Sequence, residues 1–199
     1  MKHTAKKRMI NKIRGKLSDR RGFSLGELLA ATIILLLASQ VMAQGIAFAT
    51  RMYNETLSRS HAKQLCSTLT NSIETELRYA TSAALDGSNR LTAYFSVVYG
   101  QTKSGFCALD ENGNVISGTD GGELAIQVTD KTTNAIIWQK LISSASYSSY
   151  DLKAEAGNIT YDESNNVFHV VLNISDKNGK LLVTNAFDVL PVNKIKITK

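Results

Sequence analysis

Proline and glycine are scarce over much of this sequence. The 199 residues include one proline, Pro191, and no glycine lies between Gly45 and Gly87. These two residue types are the strongest helix breakers, so their absence leaves a long stretch over which a helix is free to continue. Glycines become frequent after residue 86, where they suit turns between strands.

Cysteine, histidine and the sequence motifs of catalysis are also sparse. Cys66 and Cys107 have no second cysteine or histidine at ligand spacing, which argues against a metal site. The histidines His3, His61 and His169 are isolated from one another. No phosphate-binding loop, dinucleotide fingerprint, metalloprotease motif or nucleophile elbow is present. We therefore expect no enzyme activity, no cofactor and no bound metal.

Acidic residues are nearly absent from the first 22 positions. Residues 1–22 hold nine lysines and arginines and one acid, Asp19, whereas the rest of the chain holds 14 basic and 16 acidic side chains. The net charge of +6 therefore belongs to this basic leader, and such a segment marks the cytoplasmic side of a membrane helix. Without the leader no broad basic surface remains, so we expect no direct binding of nucleic acid.

Charge is also nearly absent from residues 23–50. This apolar segment is long enough to cross a bilayer, and its one charged residue is Glu27. A charge at the bilayer centre costs roughly 2.5–3.5 kcal/mol, so Glu27 needs a partner, and the segment has no lysine or arginine. If the chain is cut after Gly22, the new α-amine of Phe23 lies one helical turn away. Glu27 would then neutralise its own amine or that of a neighbouring subunit.

The residues at this position resemble the processing site of type IV prepilins and pseudopilins. Two arginines and Gly22 precede Phe23, and Glu27 is the fifth residue after the glycine. The resemblance implies that a membrane peptidase cleaves after Gly22 and methylates Phe23, and that Glu27 pairs with an amine on an adjacent subunit. It covers about thirty residues. Gly26 departs from the bulky aliphatic residue usual before the glutamate, and the proline common in the middle of the family's helix is missing.

Small residues recur through the same segment. Such residues let helices approach closely, and neutral polar side chains can form hydrogen bonds between helices. This composition suits a helix that lies alone in the bilayer first and among identical helices later. The small residues are Gly26, Ala30, Ala31, Ala38, Ala43, Gly45, Ala47 and Ala49.

An amphipathic pattern follows the apolar segment and predicts that residues 51–85 continue the helix. Apolar side chains recur at every fourth position, with small residues beside them, which is typical of a helix with one buried face. The stripe consists of Leu65, Leu69, Ile73 and Leu77, flanked by Ala62, Cys66, Ala80 and Ala84. We expect this face to pack on a sheet from the same chain.

Residues 86–199 change to strand-like patterns separated by turns. A turn at 86–89 is expected to end the helix, 143–150 is expected to be an exposed loop, and 192–199 an edge strand or a loose tail. The predicted fold class is α+β and pilin-like: a long N-terminal helix, transmembrane in its first half, whose second half packs on an antiparallel β-sheet. Strands are predicted at 91–99, 106–109, 115–116, 123–129, 135–142, 158–161, 167–175 and 180–190.

The two cysteines have two interpretations. In an exported protein they allow one intramolecular disulfide, between Cys66 on the stripe side of the helix and Cys107 on the sheet. In a cytosolic protein they would more often be buried thiols. Because the segment around Glu27 indicates export, a disulfide is the expected state.

The sequence supports two kinds of function. The first is a pilin-like subunit of a type IV pilus, a type II secretion pseudopilus or a DNA-uptake filament. Its partners would be other subunits, the prepilin peptidase and the cytoplasmic membrane, with the N-terminus inside. The second is a secreted or anchored β-rich binding domain with an ordinary signal peptide, since residues 41–43 have the small-residue pattern of a cleavage site. A third possibility, a membrane-anchored enzyme, is not supported, because the sequence contains no recognisable set of catalytic residues.

Overall fold

The computed structural model describes residues 24–96, 104–116, 121–129, 132–133 and 135–198. By its contacts the chain forms two compact units, Met1–Tyr53 and Asn54–Lys199. The first unit holds the beginning of a long helix, and the second holds the rest of that helix and all the strands.

The long helix, α1, spans Leu25–Arg78. It begins at an acidic first turn and ends at a basic last turn, Glu27 and Arg78 respectively, which is the favourable order for the helix dipole. The predicted apolar stripe is confirmed, because one face of its second half is buried. The buried residues are Ala62, Leu65, Cys66, Leu69, Ile73, Glu76 and Leu77.

The helix ends earlier than the sequence predicts. Residues 51–85 were expected to be helical throughout, but Ala80–Leu85 form the first strand, β1. The turn at 86–89 therefore joins two strands instead of ending a helix. Asp86 Oδ1 accepts hydrogen bonds from the N–H groups of Ser88 (2.8 Å) and Arg90 (2.9 Å), and this side-chain cap closes a tight hairpin.

The strands form two sheets. The first, sheet A, has seven strands in the order β11-β1-β2-β3-β5-β6, with β4 paired to β3. All its pairs are antiparallel except β1 with β11, which is parallel. Its remaining strands are β2 (Leu91–Ser96), β3 (Ser104–Leu109), β4 (Val115–Ile116), β5 (Glu123–Thr129), β6 (Ile136–Lys140) and β11 (Lys196–Thr198).

Sheet B has four strands and is antiparallel throughout. Its order is β10-β9-β7, with β8 paired to β9. Two isolated bridges, Gly122 with Ala154 and Arg90 with Thr160, connect it to sheet A. The strands are β7 (Leu152–Ala156), β8 (Thr160–Asp162), β9 (Val167–Asp176) and β10 (Leu181–Val189).

Three hairpins are closed by turns of the same design. Asp86, Asp110 and Asp176 each accept two backbone hydrogen bonds, from the residues two and four positions later. The residue three positions after each aspartate has a positive φ, and at Gly113 (84°) and Gly179 (80°) it is a glycine, the residue that adopts this conformation without strain.

The second half of α1 packs against both sheets in one core. Buried side chains of sheet A, such as Tyr94 and Leu124, and of sheet B, such as Phe168 and Leu172, belong to the same cluster as the helix stripe. Each such side chain contributes about 1.5–3 kcal/mol by burial. The fold class is therefore α+β, with an apolar N-terminal helix followed by antiparallel sheets, an arrangement consistent with a pilin-like fold.

Three other expectations need correction. The segment 143–150 is not an exposed loop, because it contains a short helix, α2 (Ala145–Ser148), in which Tyr147 is 2% exposed. The Tyr147 hydroxyl accepts a hydrogen bond from the Leu124 N–H (3.1 Å). Strand β7 was not predicted. The segment 192–199 contains an edge strand, β11, but it runs parallel to its neighbour.

Candidate assembly site

The residues singled out for processing and assembly lie at and before the start of α1. Gly22 and Phe23 are outside the described residues. Glu27 is described, and it lies in the first turn of the helix. The structure therefore shows the surroundings of Glu27, but it does not describe the residues at the predicted cleavage position.

Glu27 and Ser24 cap the helix reciprocally. The Ser24 N–H donates to Glu27 Oε2 (3.0 Å), and the Ser24 hydroxyl donates to the same oxygen (3.2 Å). In return the Glu27 N–H donates to Ser24 Oγ (3.2 Å). This is the capping box, in which a serine and a glutamate three residues later satisfy the unpaired N–H groups of a helix start.

The capping box gives Glu27 a structural role at the start of the helix, in addition to the assembly role that the sequence predicts. A carboxylate in the first turn also interacts favourably with the helix dipole, by about 0.3–1 kcal/mol. A simple membrane anchor would therefore also retain this glutamate. Sequence reasoning missed the box although its signal was present, since Ser24 lies three residues before Glu27 and an apolar run follows. Both hydrogen bonds go to Oε2, and Oε1 accepts none from the described residues.

The helix beyond the cap is apolar on every side and exposed throughout residues 24–53. It is the one helix among the described residues that is long and apolar enough to cross a membrane, and its most apolar window has no buried residue. Large exposed side chains on it include Leu25, Leu28, Ile34, Leu37 and Phe48. An apolar surface of this extent marks contact with lipid or with another protein.

Most hydroxyl groups in this segment are satisfied inside the helix. Thr32 donates to the Leu29 carbonyl (2.8 Å), Ser39 to that of Leu36 (2.8 Å) and Thr50 to that of Ile46 (2.9 Å). This pairing lowers the cost of placing them in hydrocarbon. Gln40 and Gln44, one turn apart, make no side-chain hydrogen bond within the described part of the chain.

Several small residues share the helix face of Glu27. At 3.6 residues per turn, Ala31, Ala38, Gly45 and Ala49 lie within about 40° of Glu27 around the axis. A Cβ atom added at Gly45 would meet nothing within 4 Å, so no contact within the described chain requires a glycine there. A glycine in a helix interior lowers helix stability by about 1 kcal/mol relative to alanine. No contact within the described chain offsets this loss.

The expected disulfide between Cys66 and Cys107 is absent, and both residues are free cysteines. The reason is the orientation of β3. Phe106, next to Cys107, packs on the core that contains Cys66, so alternation places the Cys107 side chain on the other face of sheet A. Burial raises the pKa of the Cys66 thiol and raises that of Cys107 to about 11.

Several other ionisable side chains of the described residues have structural partners. The Tyr94 hydroxyl donates to Glu76 Oε2 (3.1 Å) inside the core. His61 stacks on Tyr150, with ring centroids 3.6 Å apart. His169 lies 2.6 Å from Asp188 on the exposed face of sheet B. Among the described residues no group of three or more histidine, cysteine, aspartate or glutamate side chains could hold a metal ion.

Comparisons with known proteins add no assignment to this geometry. Nothing matches among protein-family models, curated proteins or solved structures. The function is therefore argued from the helix and its capped carboxylate.

Proposed function

We propose that this chain is a pilin-like structural subunit, a minor pilin or pseudopilin of a type IV pilus, type II secretion or DNA-uptake filament. In this proposal it is cleaved after Gly22, is methylated at Phe23 and assembles through α1. It has no catalytic role. Its partners are other subunits, the prepilin peptidase and the cytoplasmic membrane.

The observation that carries the proposal is the first half of α1, which is apolar on all sides, wholly exposed and interrupted by one carboxylate. The subunit alone gives this surface no partner among its described residues. A bilayer would cover it before assembly, and the helices of other subunits would cover it afterwards. The basic leader would hold the N-terminus inside and the sheet domain outside.

Glu27 would act through the oxygen that the cap leaves open. Its Oε2 is held by Ser24, while Oε1 remains able to accept a charge-assisted hydrogen bond from the amine of a neighbouring Phe23. A charge-assisted pair of this kind is roughly twice as strong as a neutral hydrogen bond. The cap would therefore orient the carboxylate before the partner arrives, and correct pairing would set the register of the incoming subunit.

The small residues on the Glu27 face fit the same proposal. If Glu27 meets a neighbouring subunit, Ala31, Ala38 and Gly45 face that subunit as well. Small side chains there would let two helices approach closely, which is how helices associate in membranes. Glycine at position 45 lowers helix stability without a compensating contact in the described chain, which supports a contact with another subunit.

The rival function is a secreted or anchored β-rich binding domain with an ordinary signal peptide. Cleavage after Ala43 would discard Glu27 and Ser24, and the mature chain would start at Gln44. The N-terminus of the protein recovered from membranes and sheared surface material, measured by intact mass and peptide sequencing, separates the two. A chain starting at methylated Phe23 supports the filament subunit, and a start at Gln44 refutes it.

Matched substitutions separate assembly from capping at Glu27. Glutamine also serves in a capping box, so Glu27→Gln keeps the cap and removes the charge. We expect Glu27→Gln and Glu27→Ala to insert and be cleaved normally and to form at least tenfold fewer filaments. Ser24→Ala, which keeps the charge and costs the cap about 1 kcal/mol, should assemble better than either. Normal filaments from Glu27→Gln would show that Glu27 serves only as a cap.

A further inference from the structure

A groove of about 600 Å³ lies where sheet A meets the segment after β7. Its lining includes Trp138 from β6, Gln127 from β5 and Arg90 from the start of β2. Glu155 and Asn158 line its other side. The volume is within the range of about 300–1,000 Å³ that is usual for small-ligand sites.

The register of the strands explains why this surface is hollow. Gln127 is directly opposite Trp138 on one side and Gly105 on the other. The next pair on the same face of these strands, Cys107 with Ala125, also carries small side chains. A floor of small residues thus lies beside the large, half-buried indole of Trp138.

Four polar side chains of this groove have no polar partner within the described part of the chain. The side chains of Gln127, Trp138, Glu155 and Asn158 make no hydrogen bond or ion pair with any described residue. Together they offer donors from the indole and the amides, and acceptors from the amides and the carboxylate. Arg90 adds a guanidinium, so the lining holds one basic side chain and one acidic side chain, Glu155.

We propose that this groove binds a neutral oligosaccharide. A sugar presents C–H groups on the faces of its ring, and these suit the negative face of an indole. Its hydroxyl groups both donate and accept, as the planar side chains around the groove do. Because the lining holds one basic and one acidic side chain, the site favours an uncharged glycan over a polyanion. This binding role is independent of filament assembly and would hold for the secreted alternative as well.

The single tryptophan makes the proposal directly measurable. The full chain, in a detergent without a sugar headgroup, is titrated with linear β-1,4-glucose, β-1,4-N-acetylglucosamine and α-1,4-glucose oligomers. Concentrations up to about 10 mM cover dissociation constants in the millimolar range. We expect a saturable change in Trp138 fluorescence with at least one oligomer, and calorimetry on the same samples should give the same dissociation constant.

Two glutamines provide a matched control. Gln127→Ala, inside the groove, should weaken binding at least tenfold, as should Glu155→Ala. Gln139→Ala removes an exposed glutamine next to Trp138 on the alternate face of β6, and it should bind like the unaltered chain. The proposal is overturned if no oligomer gives a saturable response, or if Gln127→Ala and Gln139→Ala bind equally well. It is also overturned if an unstructured peptide, but no sugar, saturates the signal.

Discussion

Replacing Gly45 by leucine tests which face of α1 meets its neighbours in the proposed filament. A Cβ at this position would meet nothing within 4 Å, so the larger side chain has room in the isolated subunit. Ala47→Leu is the matched control, because position 47 lies about 160° around the helix from position 45. Both variants add a similar apolar side chain to the same stretch of the helix.

Gly45→Leu should affect the free subunit and its assembly in opposite ways. Leucine is a much better helix former than glycine, so Gly45→Leu should stabilise the helix of the free subunit by up to about 1 kcal/mol. In a close helix contact the added side chain would overpack the interface, at a cost of about 1–3 kcal/mol. Since about 1.4 kcal/mol is a tenfold change in association, assembly should fall tenfold or more.

The assay compares the filaments recovered by shearing with the subunit remaining in the membrane. Gly45→Leu should accumulate as processed subunit with few filaments, and Ala47→Leu should assemble like the unaltered chain. Equal assembly by the two variants would refute the assignment of the Glu27 face as the close contact. Loss of the processed subunit itself would contradict the open space seen around Gly45.

Two further predictions concern the sheet domain. Because burial raises the pKa of Cys107 to about 11, its thiolate is scarce at pH 8, and its alkylation in the folded protein should be slow and should accelerate up to about pH 11. After unfolding without reductant both free cysteines should be alkylated, and a mass with neither modified would reveal the disulfide instead. Gly122→Ala should lower the free energy of unfolding by about 3 kcal/mol, since its Cβ would lie 2.7 Å from Ile116 Cδ1 and against the Leu109 carbonyl. Gly87→Ala, where nothing lies within 4 Å, should change unfolding in denaturant by less than about 0.5 kcal/mol.

The local patterns in the sequence predicted the elements that depend on local chemistry. Strand β5 was predicted with its observed bounds, because its apolar residues alternate and a turn follows. The helix stripe was also predicted correctly from its four-residue period. Position 76, three residues after Ile73, lies on the same buried face, but it was not part of the predicted stripe because it is acidic. Glu76 is buried because Tyr94 donates to it.

The elements that depend on distant partners could not be read in the same way. Residues 80–85 contain good helix formers and no breaker, and pairing with β2 and β11 makes them a strand. Strand β7 is rich in lysine, glutamate and alanine, which are depleted in strands, and its pairing with β9 overrides that preference. Tyr147 is buried, and its hydroxyl accepts a hydrogen bond from the Leu124 N–H of β5. Except for β2, which follows β1 after a short turn, these partners are distant in sequence.

The candidate site divides in the same way. The position of Glu27 at the start of an exposed apolar helix was predictable, and the capping box with Ser24 was predictable from the spacing of the two residues. The state of the cysteines was not, because it depends on which face of β3 carries Cys107. The groove at Trp138 was not foreseen either, since its lining residues come from β3, β4, β5, β6 and β7 and from the segments that flank β2 and β7.

The parallel pairing of β1 with β11 has a consequence for the order in which the domain is completed. Strand β1 follows the helix directly and pairs on one side with β2, through a short hairpin that can close early. Its other side is covered by Lys196–Thr198, so it stays open while nearly all of the sheet domain is synthesised. Non-local pairings of this kind slow folding, and an unpaired strand edge invites association with other chains. Until β11 pairs with it, the free edge of β1 can therefore associate with other chains.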